Sequence, residues 1–167
     1  MEGANIAAAA AEIAADDSMV ISGGIHPRYS SKQDGKLRAS AVIIEKGTKV
    51  VIISCDVLML QRDVLDDACR EIDKGTGIPF ENILITATHT HHAPSTVSVH
   101  GYERDAKFCE NVKGAIISAV EAAERGLKDA GEAEAHFWLG NEATVGQNSR
   151  LLLKDGTIYW VGPREDA

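Results

Sequence analysis

The fold of this chain follows from residues 49–90, KVVIISCDVLMLQRDVLDDACREIDKGTGIPFENILITATHT. The segments 49–55 and 82–88 are short apolar runs, which are typical of buried strands. Between them, residues 62–74 place apolar side chains on one helical face and end near the turn-forming residues 75–77. Two strands joined through a helix in this way are nearly always parallel, with a right-handed crossover. The stretch therefore predicts a strand-helix-strand unit.

The segments before this unit add further elements. Residues 39–45 and 49–55 flank Lys46-Gly47-Thr48, which predicts an antiparallel hairpin with a glycine turn. Residues 5–15 are rich in alanine and favour a helix by propensity, although a buried strand suits them equally well. The predicted fold class is α/β: a mixed β-sheet with a strand-helix-strand crossover, flanked by helices, with the site at the carboxyl edge of the sheet.

The second half of the chain predicts one long helix and three further strands. Apolar residues recur at spacings of three and four over 104–128, which favours a helix that covers the sheet. Residues 133–139 alternate like a half-buried strand, and residues 151–161 form a candidate hairpin around Gly156. No repeat or long low-complexity linker separates these segments, so we expect residues 1–167 to form a single α/β unit.

Composition narrows the class of protein. The 167 residues are 44% hydrophobic and 25% charged, as in an ordinary globular domain. The formal net charge is -8 and the chain has no basic stripe with interleaved aromatic residues, which argues against a nucleic-acid partner. No apolar run approaches the roughly 20 residues of a transmembrane segment. The start of the chain lacks the basic region of a signal peptide, so the cytoplasm is the expected location.

The three cysteines, Cys55, Cys69 and Cys109, are odd in number and scattered along the chain, with no C-x-x-C pair. This pattern indicates neither a disulfide framework nor a thiolate zinc site. We therefore expect reduced, mostly buried thiols.

The strand over 82–88 ends in three closely spaced histidines, His89, His91 and His92. In an extended backbone successive side chains alternate between faces, so His89 and His91 should point one way and His92 the other. Two imidazoles on one face suggest a metal, whereas solvated loop residues or a hydrogen-bonded packing residue are the alternative. A catalytic zinc takes about three protein ligands and a water. The candidates for the remaining ligands are Asp56, His26, His100 and His136.

Asp56 follows the first strand of the crossover unit, so it should lie with His89 on the carboxyl edge of the sheet. Histidines that bind a metal commonly donate their second ring N–H to a carboxylate, which makes Asp56 a candidate hydrogen-bond partner of the metal-binding histidines. A cap for the turn or for the next helix is an equally good role for it. Zinc lowers the pKa of a bound water towards ~7, so the natural reaction class is hydrolysis.

These residues resemble the N-terminal region of the neutral/alkaline non-lysosomal ceramidases. The resemblance rests on Ser54-Cys55-Asp56-Val57-Leu58 and the helix after it, on Thr88-His89-Thr90-His91 with Pro94, and on the later helix, strand and Asn148. It covers nearly the whole chain, and the Thr-His-Thr-His block is its most specific part. The resemblance implies a zinc enzyme that hydrolyses the amide bond of ceramide or of a related lipid or small-molecule amide.

The family also implies roles for single residues. Its first block histidine binds zinc, which implies that His89 is a metal ligand, and its second lies in the active site, which implies a catalytic role for His91. The family often has Asn-Arg near the position of Asn148, but here Ser149 falls where that arginine would be. Arg150 is either its substitute with a catalytic role or a solvent-facing residue of the hairpin. The remaining zinc ligands of the family lie farther along a longer chain. We therefore expect an N-terminal fragment that hydrolyses little or nothing alone.

Two other interpretations stay open on the sequence alone. Metallo-β-lactamases carry a His-x-His-x-Asp-His block after a buried strand, but here Ala93 replaces the aspartate and Pro94 replaces the last histidine. A non-catalytic α/β domain would use the histidines only to hydrogen-bond a ligand. The true substrate and the roles of His92, His100 and His136 are not readable from the sequence.

Overall fold

Parallel pairing of two strands confirms the predicted strand-helix-strand unit. The computed structural model describes residues 3–134, 136–142, 144 and 150–159. Their elements, in chain order, are β1 (Ala4–Ile13), β2 (Val20–Ile21), β3 (Arg28–Tyr29), β4 (Leu37–Lys46), β5 (Thr48–Cys55), α1 (Arg62–Thr76), a 3₁₀ turn (Phe80–Asn82), β6 (Ile83–Ala87), α2 (Ala106–Leu127), β7 (Glu132–Ala133), β8 (Leu151–Leu152) and β9 (Ile158–Tyr159). Strands β5 and β6 are parallel, with Ile52 opposite Leu84 and Ser54 opposite Thr86.

The described sheet is mixed, as predicted. Its five strands have the order β6-β5-β4-β1-β7, in which only the β5-β6 pair is parallel. Strands β4 and β5 form the predicted hairpin, and Gly47 at its turn has a φ of 71°. Glycine adopts this left-handed conformation without a steric penalty, which explains the glycine in the turn. These pairings confirm the α/β fold class.

The alanine-rich segment near the start is a strand, so the helix favoured by propensity is wrong. Strand β1 pairs with β4 on one side and with β7 on the other. Its alanines at positions 7, 9 and 11 pack against the core, and a Cβ at Gly126 of α2 would lie 3.5 Å from the Cβ of Ala7. Small side chains let the helix lie close to the strand. Sheet pairing and helix cover therefore outweigh the modest helix propensity of alanine.

One face of the sheet carries the core. Alternate residues of β4 and β5, such as Ile43 and Ile53, are fully buried together with Ile72 of α1 and Phe108 of α2. The opposite face has no helix among the described elements, and four of its apolar side chains are 36% to 53% exposed: Val42, Val50, Ile52 and Leu84. The predicted role of the long helix as cover for the sheet is therefore confirmed for one face.

The residues beyond Glu134 form a second compact unit. The strand expected over 133–139 is wrong beyond Ala133, because residues 136–142 form no strand, and Phe137, Trp138 and Leu139 are 84% to 91% exposed. Strand β7 pairs with β1 only at Glu132 and Ala133. The alternating residues 136–139 therefore have no neighbouring strand in the described sheet against which to pair. The predicted last hairpin is confirmed over the described residues, where β8 and β9 pair antiparallel. No described helix is long and apolar enough to cross a bilayer.

Candidate metal site at the carboxyl edge of the sheet

The chain leaves β6 at Ala87 and turns before the first histidine. Thr88 donates its backbone N–H to the carbonyl of Cys55 at 2.9 Å, and His89 then has a φ of 62°. Left-handed backbone is uncommon outside glycine because the Cβ crowds the neighbouring backbone. The strand expected over 82–88 therefore ends early, and strand alternation does not place the histidine side chains.

The rings of His89 and His91 nevertheless lie together. Their centroids are 5.1 Å apart and their planes meet at 82°, an edge-to-face arrangement. Both residues are exposed, so the pair lies on the surface at the carboxyl end of β6. The sequence predicts that these two side chains point the same way, and the rings do lie together, although a turn rather than a straight strand brings them there.

A backbone carbonyl holds the imidazole of His89. Its Nδ1 lies 2.8 Å from the carbonyl oxygen of Leu58, a buried residue in the loop after β5. The same loop is tied down at Met59, whose carbonyl accepts a hydrogen bond from the hydroxyl of the buried Thr96. Two loops that follow neighbouring parallel strands therefore fix the position of this ring.

A second carbonyl holds His91 in the same way. Its Nδ1 lies 3.1 Å from the carbonyl oxygen of Gly23. Gly23 has a φ of 92°, and a Cβ there would lie 2.5 Å from both Cγ and Nδ1 of the ring. Since real Cβ atoms do not approach that closely, only glycine fits beside this imidazole. The guanidinium of Arg28 also contacts the backbone carbonyl of His91.

These contacts set the protonation of both rings. A carbonyl oxygen only accepts hydrogen bonds, so Nδ1 of each neutral ring must carry the proton. The Nε2 of each ring then keeps its lone pair, which is the form in which histidine binds a metal. Hydrogen bonding of the other ring nitrogen to a carbonyl is a common way to orient such ligands. The pair is therefore chemically suited to present two nitrogen donors to a cation.

The described residues do not supply a complete zinc site. No group of three or more His, Cys, Asp or Glu side chains suited to a metal occurs among them. His26 and His100 are exposed, and neither joins the histidine pair in such a group. A catalytic zinc takes about three protein ligands. The identity of any third ligand therefore stays a prediction.

Asp56 makes a structural hydrogen bond at the same edge. One carboxylate oxygen accepts the backbone N–H of Arg38 at 3.0 Å, and the N–H of Asp56 donates to the carbonyl of Arg38 at 2.9 Å. This exchange extends the β4-β5 pairing past the end of β5. The carboxylate thus caps the strand end, and a hydrogen bond from a metal-binding histidine to it stays a prediction.

The other predicted residues occupy different surroundings. His92 lines a cavity of about 550 Å³ with Arg28, Tyr29 and Pro94. His136 and Arg150 belong to the unit beyond Glu134, so the proposed catalytic role of Arg150 stays a prediction. The family position Asn148 lies outside the described residues.

The cysteines are free and buried, as expected. Burial raises the pKa of the Cys55 thiol to about 12, and the negative charge of Asp56 adds to this effect. A thiol with so high a pKa stays protonated near neutral pH, so it is a poor nucleophile and a poor metal ligand. Cys55 is therefore unsuited to serve as a nucleophile or a metal ligand at this edge.

Sequence reasoning missed the groups that orient the rings. The carbonyls of Leu58 and Gly23 lie 31 and 68 residues away from the histidines that they hold. A carbonyl acceptor leaves no trace in residue type, so no motif marks Leu58. The Ser22-Gly23-Gly24 segment carries the one available signal, because paired glycines indicate a turn or a close approach.

Two solved structures with a similar fold are ceramidases. The crystal structure of neutral ceramidase from Pseudomonas aeruginosa matches with a TM-score of 0.66 and 19% sequence identity, over 75% of this chain and 22% of that chain. A ceramidase complexed with C2 matches with a TM-score of 0.60 and 20% identity, over the same shares. The likeness is one of fold. This chain spans about a fifth of the length of both structures. No family model matches the sequence, and neither does any curated protein.

Proposed function

We propose that this chain provides part of the active site of a zinc-dependent amide hydrolase of the neutral ceramidase type. The observation that carries the proposal is the pair of exposed imidazoles whose Nδ1 atoms are both held by backbone carbonyls. The fold likeness to neutral ceramidases supports the same class of hydrolase. In this proposal His89 is a zinc ligand through Nε2, and His91 is the adjacent catalytic group.

The proposed roles differ because one ring must bind the metal while the other handles a proton. Zinc, when bound, would supply a water of lowered pKa as the attacking group. His91 keeps an unprotonated Nε2 within the same exposed edge, so it is suited to accept a proton from an attacking water and to return it to the leaving amine. Its Nδ1–H is already donated to the carbonyl of Gly23, which holds the ring in one orientation.

The substrate in this proposal is a lipid or small-molecule amide, with ceramide as the first compound to test. Further zinc ligands would have to join His89, since the described residues hold no complete set. Arg150 is proposed to contact the substrate, and Asp56 to support the ligand shell from the end of β5. We propose the cytoplasm as the location.

Zinc binding tests the ligand assignment directly. Calorimetric titration of the wild-type chain with Zn²⁺ should show weak binding, and His89→Ala should weaken it about 10-fold or more, because one of few ligands is lost. His92→Ala is the matched control, since that imidazole lines a separate cavity. Equal zinc affinity in the wild type and His89→Ala would rule out His89 as the ligand.

Hydrolysis needs its own assay. The natural gene product, as wild type and as His91→Ala, should be incubated with a fluorescent N-acylsphingosine, with and without a zinc chelator. We expect His91→Ala to lower kcat by about 100-fold, in the range that general acid-base catalysis contributes. Hydrolysis that survives both the chelator and His91→Ala would contradict the proposed mechanism.

A further inference from the structure

The hydroxyl of Tyr102 bridges the two glycines beside His91. Its oxygen accepts the backbone N–H of Gly23 at 3.1 Å, and its O–H donates to the carbonyl of Gly24 at 3.2 Å. Tyr102 is 6% exposed, so both hydrogen bonds lie in a protected environment. The hydroxyl therefore holds the Gly23-Gly24 segment on both sides of the Gly23 carbonyl, which accepts the Nδ1–H of His91.

Tyr102 is itself held by a tight turn. Val99 and Tyr102 exchange backbone hydrogen bonds of 3.0 and 3.2 Å, and between them His100 and Gly101 have φ angles of 54° and 82°. Positive φ at both central residues is the signature of a type I′ turn, which rigidly joins its flanking residues. The ring of Tyr102 thus projects from a fixed backbone.

The segments on both sides of the turn are anchored to the core. Ser95 donates its N–H to the carbonyl of Val20, and it accepts the N–H of Asp105, both at 2.8 Å. The side chain of Asp105 caps α2 through the N–H of Phe108. Hydrogen bonds therefore join helix α2, the turn that carries Tyr102 and the strand before Gly23.

Ser22, on the N-terminal side of the glycine pair, is fixed independently of Tyr102. The N–H of Ser22 donates to the carbonyl of Ala93 at 3.0 Å, and the hydroxyl of Ser22 donates to the same oxygen at 3.1 Å. Removal of the Tyr102 hydroxyl should leave these contacts in place. What it should change is the orientation of the peptide groups at Gly23 and Gly24, which have wide conformational freedom.

We propose that Tyr102 is a positioning residue for His91: its hydroxyl orients the Gly23 carbonyl, and that carbonyl selects the Nδ1–H form of the ring. The catalytic use of this device rests on the proposed function, whereas the device itself does not need a metal or a substrate. Free imidazole exchanges its proton between both nitrogens, so a fixed acceptor at Nδ1 decides which nitrogen keeps a lone pair. Tyr102 thereby keeps Nε2 of His91 available at the open edge.

Nitrogen NMR of the histidine side chains tests this proposal. In the wild-type chain at a pH where the rings are neutral, Nδ1 of both His89 and His91 should give signals of protonated nitrogen. In Tyr102→Phe, the Nδ1 signal of His91 should shift toward that of unprotonated nitrogen, while His89, held by Leu58, should keep its signals. Tyr29→Phe is the control, because it removes the hydroxyl of an exposed tyrosine.

A second variant separates a lost hydrogen bond from a loosened fold. Substitution of Tyr102 by 4-aminophenylalanine keeps a donor at the same place and should restore the His91 signals of the wild type. Unchanged His91 signals in Tyr102→Phe would overturn the proposal, and so would equal shifts of His89 and His91. The proposal would also be overturned if 4-aminophenylalanine at position 102 did not restore the His91 signals of the wild type.

The zinc titration distinguishes this proposal from the proposed function. Where zinc binds, Tyr102→Phe should leave the zinc affinity close to that of the wild type, because the proposed ligand is His89, whose ring is held by Leu58. If no zinc binds to the wild type while the His91 shift is seen, the positioning role stands and the metal proposal fails. If the zinc affinity depends on His89 while the His91 signals are unshifted in Tyr102→Phe, the positioning proposal fails and the metal proposal stands.

Discussion

The two faces of the five-stranded sheet carry similar apolar side chains in opposite surroundings. On β5, Val51 and Ile53 are fully buried under the helices, whereas Val50 and Ile52 are 37% and 42% exposed. The sequence of β5 does not distinguish these faces by residue type. The contribution of a strand residue to the free energy of unfolding therefore depends on what packs against it. On the buried face, helices from distant parts of the sequence provide that packing.

The largest effect should follow from truncation of adjacent isoleucines on the two faces. Ile53→Ala should lower the free energy of unfolding by about 3 to 4 kcal/mol, because it leaves a cavity under the helices. Ile52→Ala should cost about 1 kcal/mol, since much of that side chain already contacts water. Urea denaturation of both variants gives the two values. Equal costs would show that the second face is also covered in solution.

The next effect concerns alkaline pH and the buried thiol of Cys55. Its pKa is about 12, above the unfolded value of 9.0, so its contribution to stability is complete below pH 9 and is lost as the pH rises toward 12. The wild type should therefore lose up to about 1.4 kcal/mol more per pH unit in this window than Cys55→Ala. Urea denaturation of both proteins between about pH 8 and about pH 10.5 measures this difference in the free energy of unfolding. Parallel curves would contradict the assignment.

The neighbouring position offers a kinetic test of the two faces. Ser54→Cys places a thiol on the open face, one residue from the native Cys55. A thiol reagent added to the native protein at neutral pH should modify the introduced thiol quickly and Cys55 slowly, because thiolate character and access both differ. Mass spectrometry of digested samples identifies the site. Fast modification of Cys55 would mean that the helix cover opens readily.

A smaller effect should come from a partly buried ion pair between the sheet and α2. Lys49 of β5 pairs with Glu124 of α2, and this hydrogen bond raises the pKa of Lys49. Lys49→Met should cost about 1 to 2 kcal/mol, because it leaves the half-buried carboxylate of Glu124 without its cation. Lys113→Met, which breaks a pair with the exposed Glu110, is the control and should cost less than about 0.5 kcal/mol. Thermal unfolding ranks the two variants.

The smallest effect is expected at Asp16, which joins the end of β1 to α2. Hydrogen bonds from the side chains of Ser18 and Lys107 lower the pKa of Asp16 from 3.8 to about 2. Its stabilising contribution is therefore present above pH 3.8 and is lost as the pH falls through 2. NMR titration of the carboxyl carbon should show this low pKa, and Lys107→Met should raise it partway toward 3.8. An unchanged titration in Lys107→Met would leave Ser18 as the main cause.

Local periodicity predicted the parts of the fold in which residue type and environment agree. The β4-β5 hairpin and α1 have strong alternation or helical spacing, and the structure contains both where they were expected. Residues 5–15 were ambiguous because alanine fits both states, and pairing with β4 decided the outcome. Residues 136–139 failed for the opposite reason: they alternate in type but pair with no strand among the described residues.

The candidate site was predictable in its donors but not in its geometry. The spacing of His89 and His91 predicted that the two side chains point the same way, and their rings lie together, although a turn rather than strand alternation brings them there. Nothing in the residue pattern indicates the left-handed backbone at His89 or the carbonyls that hold the two rings. These depend on loops from distant parts of the chain, which only the folded sheet brings to one edge.

The left-handed backbone of His89 matters for protein engineering. A histidine with a φ of 62° carries a conformational penalty of roughly 1 kcal/mol that glycine or asparagine would largely avoid. A library selected only for thermal stability should therefore enrich glycine or asparagine at position 89 and discard the imidazole. Directed evolution of a more robust chain would need to select for the imidazole at position 89 in parallel, since stability alone favours its loss.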